Sequence, residues 1–130
     1  MALRSLALAT GVAQLTATLC AAAELSSAEE YRQAIHAASD RAHGGQIYRS
    51  SCEVCHGATG EGYSGGYGAA FPLTGGQHFR VLALALVRFR LGQSSTHEMQ
   101  YFSDNYRLTS AQDVADVAAY VAALQPARAD

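Results

Sequence analysis

The chain contains no lysine. All nine of its basic residues are arginine, set against eleven acidic ones, for a formal charge of −2 over 130 residues. That balance argues against nucleic acid as a partner, which needs a basic face. It also argues against a lysine-rich docking ring, so electrostatic steering toward a partner falls to local patches. Cysteine is scarce, with three in the chain. No second cysteine pair stands beside Cys52 and Cys55, so half of a four-cysteine zinc site is missing. No G-K-[ST] follows any glycine-rich stretch, and a phosphate loop is therefore absent. There is no internal repeat and no convincing strand. The continuously apolar run Val81–Val87 is too short to cross a bilayer.

The first 23 residues read as a leader rather than as part of a fold. A short basic start containing Arg4 is followed by an apolar stretch from Leu6 to Leu19. Ala21-Ala22-Ala23 then offers a cleavage site before Glu24. This is the pattern of a secretory signal peptide, residues 1–23. It predicts export to the periplasm and removal of Cys20 with the leader; an uncleaved anchor is the alternative. Cleavage removes one arginine and no acid, which takes the formal charge from −2 to −3. Residues 24–39 read as an N-terminal helix and residues 40–130 as a single small domain, with limited surface burial of its own.

Within that domain the run Cys52-Glu53-Val54-Cys55-His56 is the attachment signature of a c-type haem. Two thiols three positions apart can reach the two vinyl groups along one side of a porphyrin and form thioethers. The next residue then sits under the iron, where its imidazole can coordinate. Cys52 and Cys55 are the expected attachment points and His56 the expected proximal ligand. Three other readings compete: a thioredoxin-like redox pair, half of a zinc site, and an ordinary disulfide. The first lacks the local strand-then-helix context that motif needs. A haem at the centre of so small a domain would supply much of its core.

The rest of the domain predicts helices. Ser27 with Glu30 forms a capping-box pattern ahead of Tyr31, Ala34, Ile35 and Ala38. Asp40 can cap a second helix running toward Cys52. Gly44 and Gly45 inside it cost about 1 kcal/mol each relative to alanine, and they predict close approach by another element or else a break. Residues 57–76 are punctuated by eight glycines and predict an irregular loop, long enough to imply that it wraps something. Thr74 with Gln77 predicts the start of a helix whose apolar face is Phe79, Leu82, Ala83 and Leu86, with Gly92 as its stop. Ser95 with Glu98 predicts a short turn carrying Met99, Tyr101 and Phe102. Thr109 with Gln112 predicts the cap of a last helix with the stripe Val114, Val117, Ala118, Val121 and Leu124, followed by Pro126. The expected fold is all-α.

An iron held by His56 needs a sixth ligand or an open site. Met99 is the only methionine beyond the leader, and it follows a glycine-and-serine-rich connection that can fold back over the haem. It is the expected sixth ligand, with His97 as its rival. His78 opens a helix and is expected to be solvated or hydrogen-bonded. His36 and His43 are expected at the surface.

With these residues placed, the chain resembles the class I cytochromes c, closest in pattern to the bacterial c4-like and c5-like members. The resemblance covers about residues 40–124. Gly44-x-x-x-Tyr48-x-x-x-Cys52 is similar to that family's first helix and Val117-x-x-Tyr120 to its last. The resemblance implies that these two helices cross, with the glycine allowing their backbones to approach. Phe71-Pro72-Leu73-x-Gly75-Gly76-Gln77 is similar to the segment whose proline carbonyl accepts a hydrogen bond from the proximal histidine, which would make Pro72 the residue that orients His56. Met99 stands where the family carries its axial methionine, upstream of Leu108-Thr109-Ser110-Ala111-Gln112. Two features depart from the pattern. Gln100 follows Met99 where proline is common, and the loop between His56 and Pro72 carries an additional Gly-Tyr-Ser-Gly-Gly-Tyr-Gly stretch.

The resemblance implies a small class I cytochrome c fold wrapped around one covalently attached haem c, iron-ligated by His56 and Met99. Tyr63, Tyr67, Phe71 and Tyr101 are candidate haem-packing residues. The expected function is single-electron transfer between redox proteins outside the cytoplasmic membrane, with no catalysis and no small-molecule substrate. Two alternatives remain: a permanently bound electron-transfer subunit of a larger, membrane-associated oxidoreductase, and a haem-based ligand sensor or weak peroxidase.

Overall fold

Asp40 begins the part of the chain that positions everything else. Its carboxylate accepts hydrogen bonds from the backbone amides of Ala42, at 2.9 Å, and His43, at 3.2 Å. It thereby satisfies two of the orphan donors at a helix start. The computed structural model describes residues 26–64, 70–71, 75–93 and 108–125. Among these residues the protein is a small all-α structure of five helices. In chain order they are α1 (residues 26–36), α2 (Arg41–Ser51), α3 (Glu53–His56), α4 (Phe79–Arg90) and α5 (Ala111–Ala123). The glycine-rich loop between α3 and α4 holds one short antiparallel ladder, β1 (Tyr63–Ser64) against β2 (Ala70–Phe71), with Tyr63 opposite Phe71. None of these helices is long and apolar enough to cross a membrane.

Three helix starts differ from the sequence expectation. Helix α1 has already formed at residue 26, so Ser27 lies inside it, and the Glu30 carboxylate pairs with Arg90 of α4. Helix α4 is capped by His78, whose Nδ1 accepts from the Arg80 amide at 3.3 Å. Thr74 lies outside the described residues, and Gly76 donates its amide to the Val121 carbonyl at 3.0 Å, which holds the preceding turn against α5. At α5 the cap is Ser110 with Asp113, one residue later than Thr109 with Gln112. Both registers satisfy the motif, and the shorter carboxylate prevails. The Asp113 carboxylate accepts from the Ser110 amide at 3.1 Å and from both the amide and the hydroxyl of Thr109 at 2.7 Å. That leaves the Gln112 amide group to donate to the Ala38 carbonyl, at 2.8 Å, and to Asp116, at 2.7 Å.

The core gathers Ala34 of α1, Tyr48 of α2, Leu82, Ala83 and Val87 of α4, and Val114, Val117, Ala118 and Val121 of α5. The apolar stripe expected for α5 is the buried one, and Leu124 packs partly buried at its end. Burying a side chain such as Val87 contributes about 1.5–3 kcal/mol. Helix α4 buries one face and leaves Val81 and Leu84 exposed. It ends at Gly92 in a Schellman arrangement: the Gly92 amide donates to the Phe89 carbonyl at 3.1 Å and the Gln93 amide to Arg88 at 2.7 Å.

Helix α2 runs unbroken through both of its glycines, which are buried against α5. A Cβ on Gly44 would lie 2.0 Å from the Asp116 carbonyl oxygen and 2.8 Å from the Val117 nitrogen. The two helices are therefore in backbone contact there, the close approach that these glycines predicted.

Candidate functional site

Helix α2 delivers the chain to the cysteines almost without interruption. The Cys52 amide still donates to the Tyr48 carbonyl, at 2.8 Å. Cys52 then serves as the N-cap of α3, and its carbonyl accepts from the amides of Cys55, at 3.1 Å, and His56, at 2.9 Å. These bonds close one helical turn. Residues three apart on a turn share a face, so both thiols are presented along one side. Val54 between them is 78% exposed, whereas His56 is buried at 9%. Cys52 packs partly buried against the core.

The segment after His56 is fastened back over this turn. Gly57 ends α3 with φ +83°, and its amide returns to the Glu53 carbonyl at 2.8 Å. A Cβ at Gly57 would lie 2.3 Å from the Glu61 carboxyl carbon. Glycine is needed there for its backbone conformation, while the exposed Glu61 side chain could swing aside. Tyr48, 2% exposed, reaches from α2 to donate its hydroxyl to the Gly57 carbonyl at 2.6 Å. The Gly62 amide donates to the His56 carbonyl at 2.9 Å, and the Gly75 amide to the Gly60 carbonyl at 3.0 Å. Through Gly76 the same strand of chain is tied to α5. The turn carrying the cysteines and histidine is thus held from α2, from its own following loop and from the last helix.

The electrostatics bear on which thiol chemistry the turn can perform. Burial, with the neighbouring Cys55, pushes the Cys52 thiol up to about 11. A redox-active pair instead needs a thiol whose pKa is depressed, so that thiolate is present near neutral pH. No disulfide joins the two cysteines. No group of three or more His, Cys, Asp or Glu among the described residues is placed to hold a metal ion. Glu61, which braces the loop, has its carboxyl held below the ordinary value by its own backbone amide and by the hydroxyl and amide of Thr59.

Cys52, Cys55 and His56 are therefore brought together on one turn. Pro72, Met99 and its rival His97 lie outside the described residues, as do Tyr67 and Tyr101. The backbones of Tyr63 and Phe71 pair across the short ladder. His78 is hydrogen-bonded as a helix cap. His43 is exposed as expected, but its Nδ1 lies 2.8 Å from a carboxylate oxygen of Asp116. Asp116, 2% exposed, is the residue the sequence reading missed. A signal for it was present: from Val114 to Gln125 the last helix carries no other charged residue. Beyond its first turn the helix has no polar face, so it is buried on nearly every side, and Asp116 is buried with it.

A two-thiol and one-imidazole set on a single turn fits a c-type haem. The thiols suit thioether formation, the imidazole suits iron, and the partly buried Cys52 and buried His56 suit the flank of an apolar macrocycle. No protein-family model matches the chain, and no curated protein matches it.

Proposed function

We propose that this protein is a monohaem c-type cytochrome of the class I fold, exported to the periplasm and carrying single electrons between redox proteins. The observation that carries the reading is the single turn on which Cys52, Cys55 and a buried His56 are presented together. When bound, the haem supplies a one-electron ferric–ferrous couple. Cys52 and Cys55 would hold it covalently, each through a thioether to one of its vinyl groups. Their attachment prevents dissociation. His56 provides the proximal nitrogen from a position braced by the Gly62 amide on its carbonyl and by Tyr48 on Gly57. Met99 would supply the second ligand, whose thioether favours the ferrous state and raises the potential. Pro72 would orient the His56 ring, as the resemblance implies.

The test is the absorption spectrum of the oxidised, purified protein, read together with covalent haem retention after acid–acetone extraction. The expected result is haem that stays with the chain, with a weak far-red Met–iron charge-transfer band that disappears in Met99→Ala. Extractable haem in the wild type, or wild-type retention in a Cys52→Ala/Cys55→Ala double variant, would overturn the attachment. A missing far-red band with retained haem would overturn Met99 alone and move a His97 or open-site arrangement ahead.

A further inference from the structure

The most deeply buried charge among the described residues plays no part in the proposed site. Asp116 lies on α5 where that helix crosses α2, and its side chain is 2% exposed. One carboxylate oxygen accepts from the Asp40 amide, at 2.7 Å, and from the Gln112 amide group, at 2.7 Å. The other lies 2.8 Å from His43 Nδ1. Gln112 also donates to the Ala38 carbonyl at 2.8 Å. Three separate stretches of chain therefore meet on one carboxylate: the connection between α1 and α2, the first turn of α2, and α5. Two of its partners are neutral and do not titrate. The third, His43, has 46% of its side chain exposed, so it exchanges protons with solvent while bonded to a buried acid.

We infer that the His43–Asp116 contact is a proton-dependent clasp across the α2–α5 crossing, which tightens as pH falls through the neutral range. A neutral imidazole with its hydrogen on Nδ1 already donates to a charged acceptor. Protonation adds the attraction between two opposite charges to the same contact and so strengthens it. The clasp is graded, since the bond itself persists in both states. The groups acting on His43 are Asp116 by direct bond, Asp113 from the first turn of α5, and Asp40 at the start of α2, all acidic. Their joint effect, led by the Asp116 bond, holds the imidazole above its ordinary value of 6.5 against the opposing effect of burial. With the folded-state value raised, the stabilisation is full below 6.5 and is lost as pH rises through the folded value. Through this contact His43 couples outside pH to the helix that leads directly into Cys52.

The experiment is a nuclear magnetic resonance titration of the full chain, with chemical denaturation at pH 6 and pH 8. The expected results are a His43 midpoint above 6.5 that falls in Asp116→Asn, and a denaturation midpoint higher at pH 6 than at pH 8. That difference should be lost in His43→Gln. Because Asp116→Asn removes a buried charge and can impair folding, His43→Gln is the deciding variant; its side chain stands near the surface. A His43 midpoint at or below 6.5, or a pH 6 to pH 8 difference that survives His43→Gln, overturns the clasp.

Discussion

Replacing Gly44 with alanine sets two known magnitudes against each other. Alanine in a helix interior is favoured over glycine by about 1 kcal/mol, so on propensity alone Gly44→Ala should stabilise α2. Packing opposes it. The new Cβ would meet the Asp116 carbonyl oxygen at 2.0 Å, its carbon at 2.3 Å and the Val117 nitrogen at 2.8 Å, all backbone atoms of α5. No rotamer change relieves a backbone clash. Restoring a contact of 3.4 Å requires the helices to separate by about 1.4 Å, in a core packed as densely as an organic crystal. Overpacking of this kind costs about 1–3 kcal/mol. The same separation stretches the bonds that Asp116 accepts from Asp40 and His43, and each bond to a charged group is worth about 1.5–3 kcal/mol. With propensity deducted, the expected loss is about 2 kcal/mol or more, which lowers Tm by roughly 8–16 °C in a domain of this size. Guanidinium denaturation is the assay, with a lower midpoint at unchanged slope. Gly45→Ala is the control, because its Cβ would meet the Tyr120 ring at 2.8 Å and the Arg49 side chain at 3.1 Å, groups that can move. If Gly44→Ala proves as stable as the wild type, or less harmful than Gly45→Ala, the inferred backbone contact is wrong.

Three further outcomes are expected. Tyr48→Phe leaves the ring tilted against Tyr120, at 5.5 Å between centroids, but removes the hydroxyl from the Gly57 carbonyl. It should cost about 1–2 kcal/mol and lower the yield of haem-loaded protein, and equal stability and yield would refute the brace. Glu30→Gln removes the charge from a nearly buried carboxylate that faces Arg90, whose guanidinium also donates to the Thr109 carbonyl at 3.2 Å. A loss of about 1–3 kcal/mol in thermal unfolding is expected, since the pair is only partly solvated; a change below the scatter of replicate melts would count against it. Glu61 has a folded-state value below its ordinary 4.5, so its contribution is present above 4.5 and is lost as pH falls through the folded value. Acid unfolding of Glu61→Gln should accordingly lack part of the wild-type pH dependence below 4.5, and superimposable acid-unfolding curves would remove Glu61 from the account.

Much of the local structure was legible because its causes are local. Asp40 caps α2 with an oxygen that reaches amides two and three residues ahead. The buried stripe of α5 follows from a period of 3.6 residues, and the spacing of Cys52, Cys55 and His56 is itself the geometry of one turn. Even the close approach at Gly44 could be anticipated, because two glycines inside a helix need a reason. Cap register was less legible: Thr109 with Gln112 and Ser110 with Asp113 match the same pattern, and only the folded chain shows Gln112 engaged elsewhere. What the tertiary structure alone decided are the pairings between distant residues. Glu30 meets Arg90 sixty positions along the chain, and Asp40 meets Asp116 seventy-six positions along. A charge in a sequence is solvated by default, and nothing within one turn of it records which buried surface it will face. The sequence by itself determined where the helices run and which three residues share the site turn. The assembly of those helices decided that Asp116 would be buried, because burial depends on what packs against a residue and not on its neighbours along the chain.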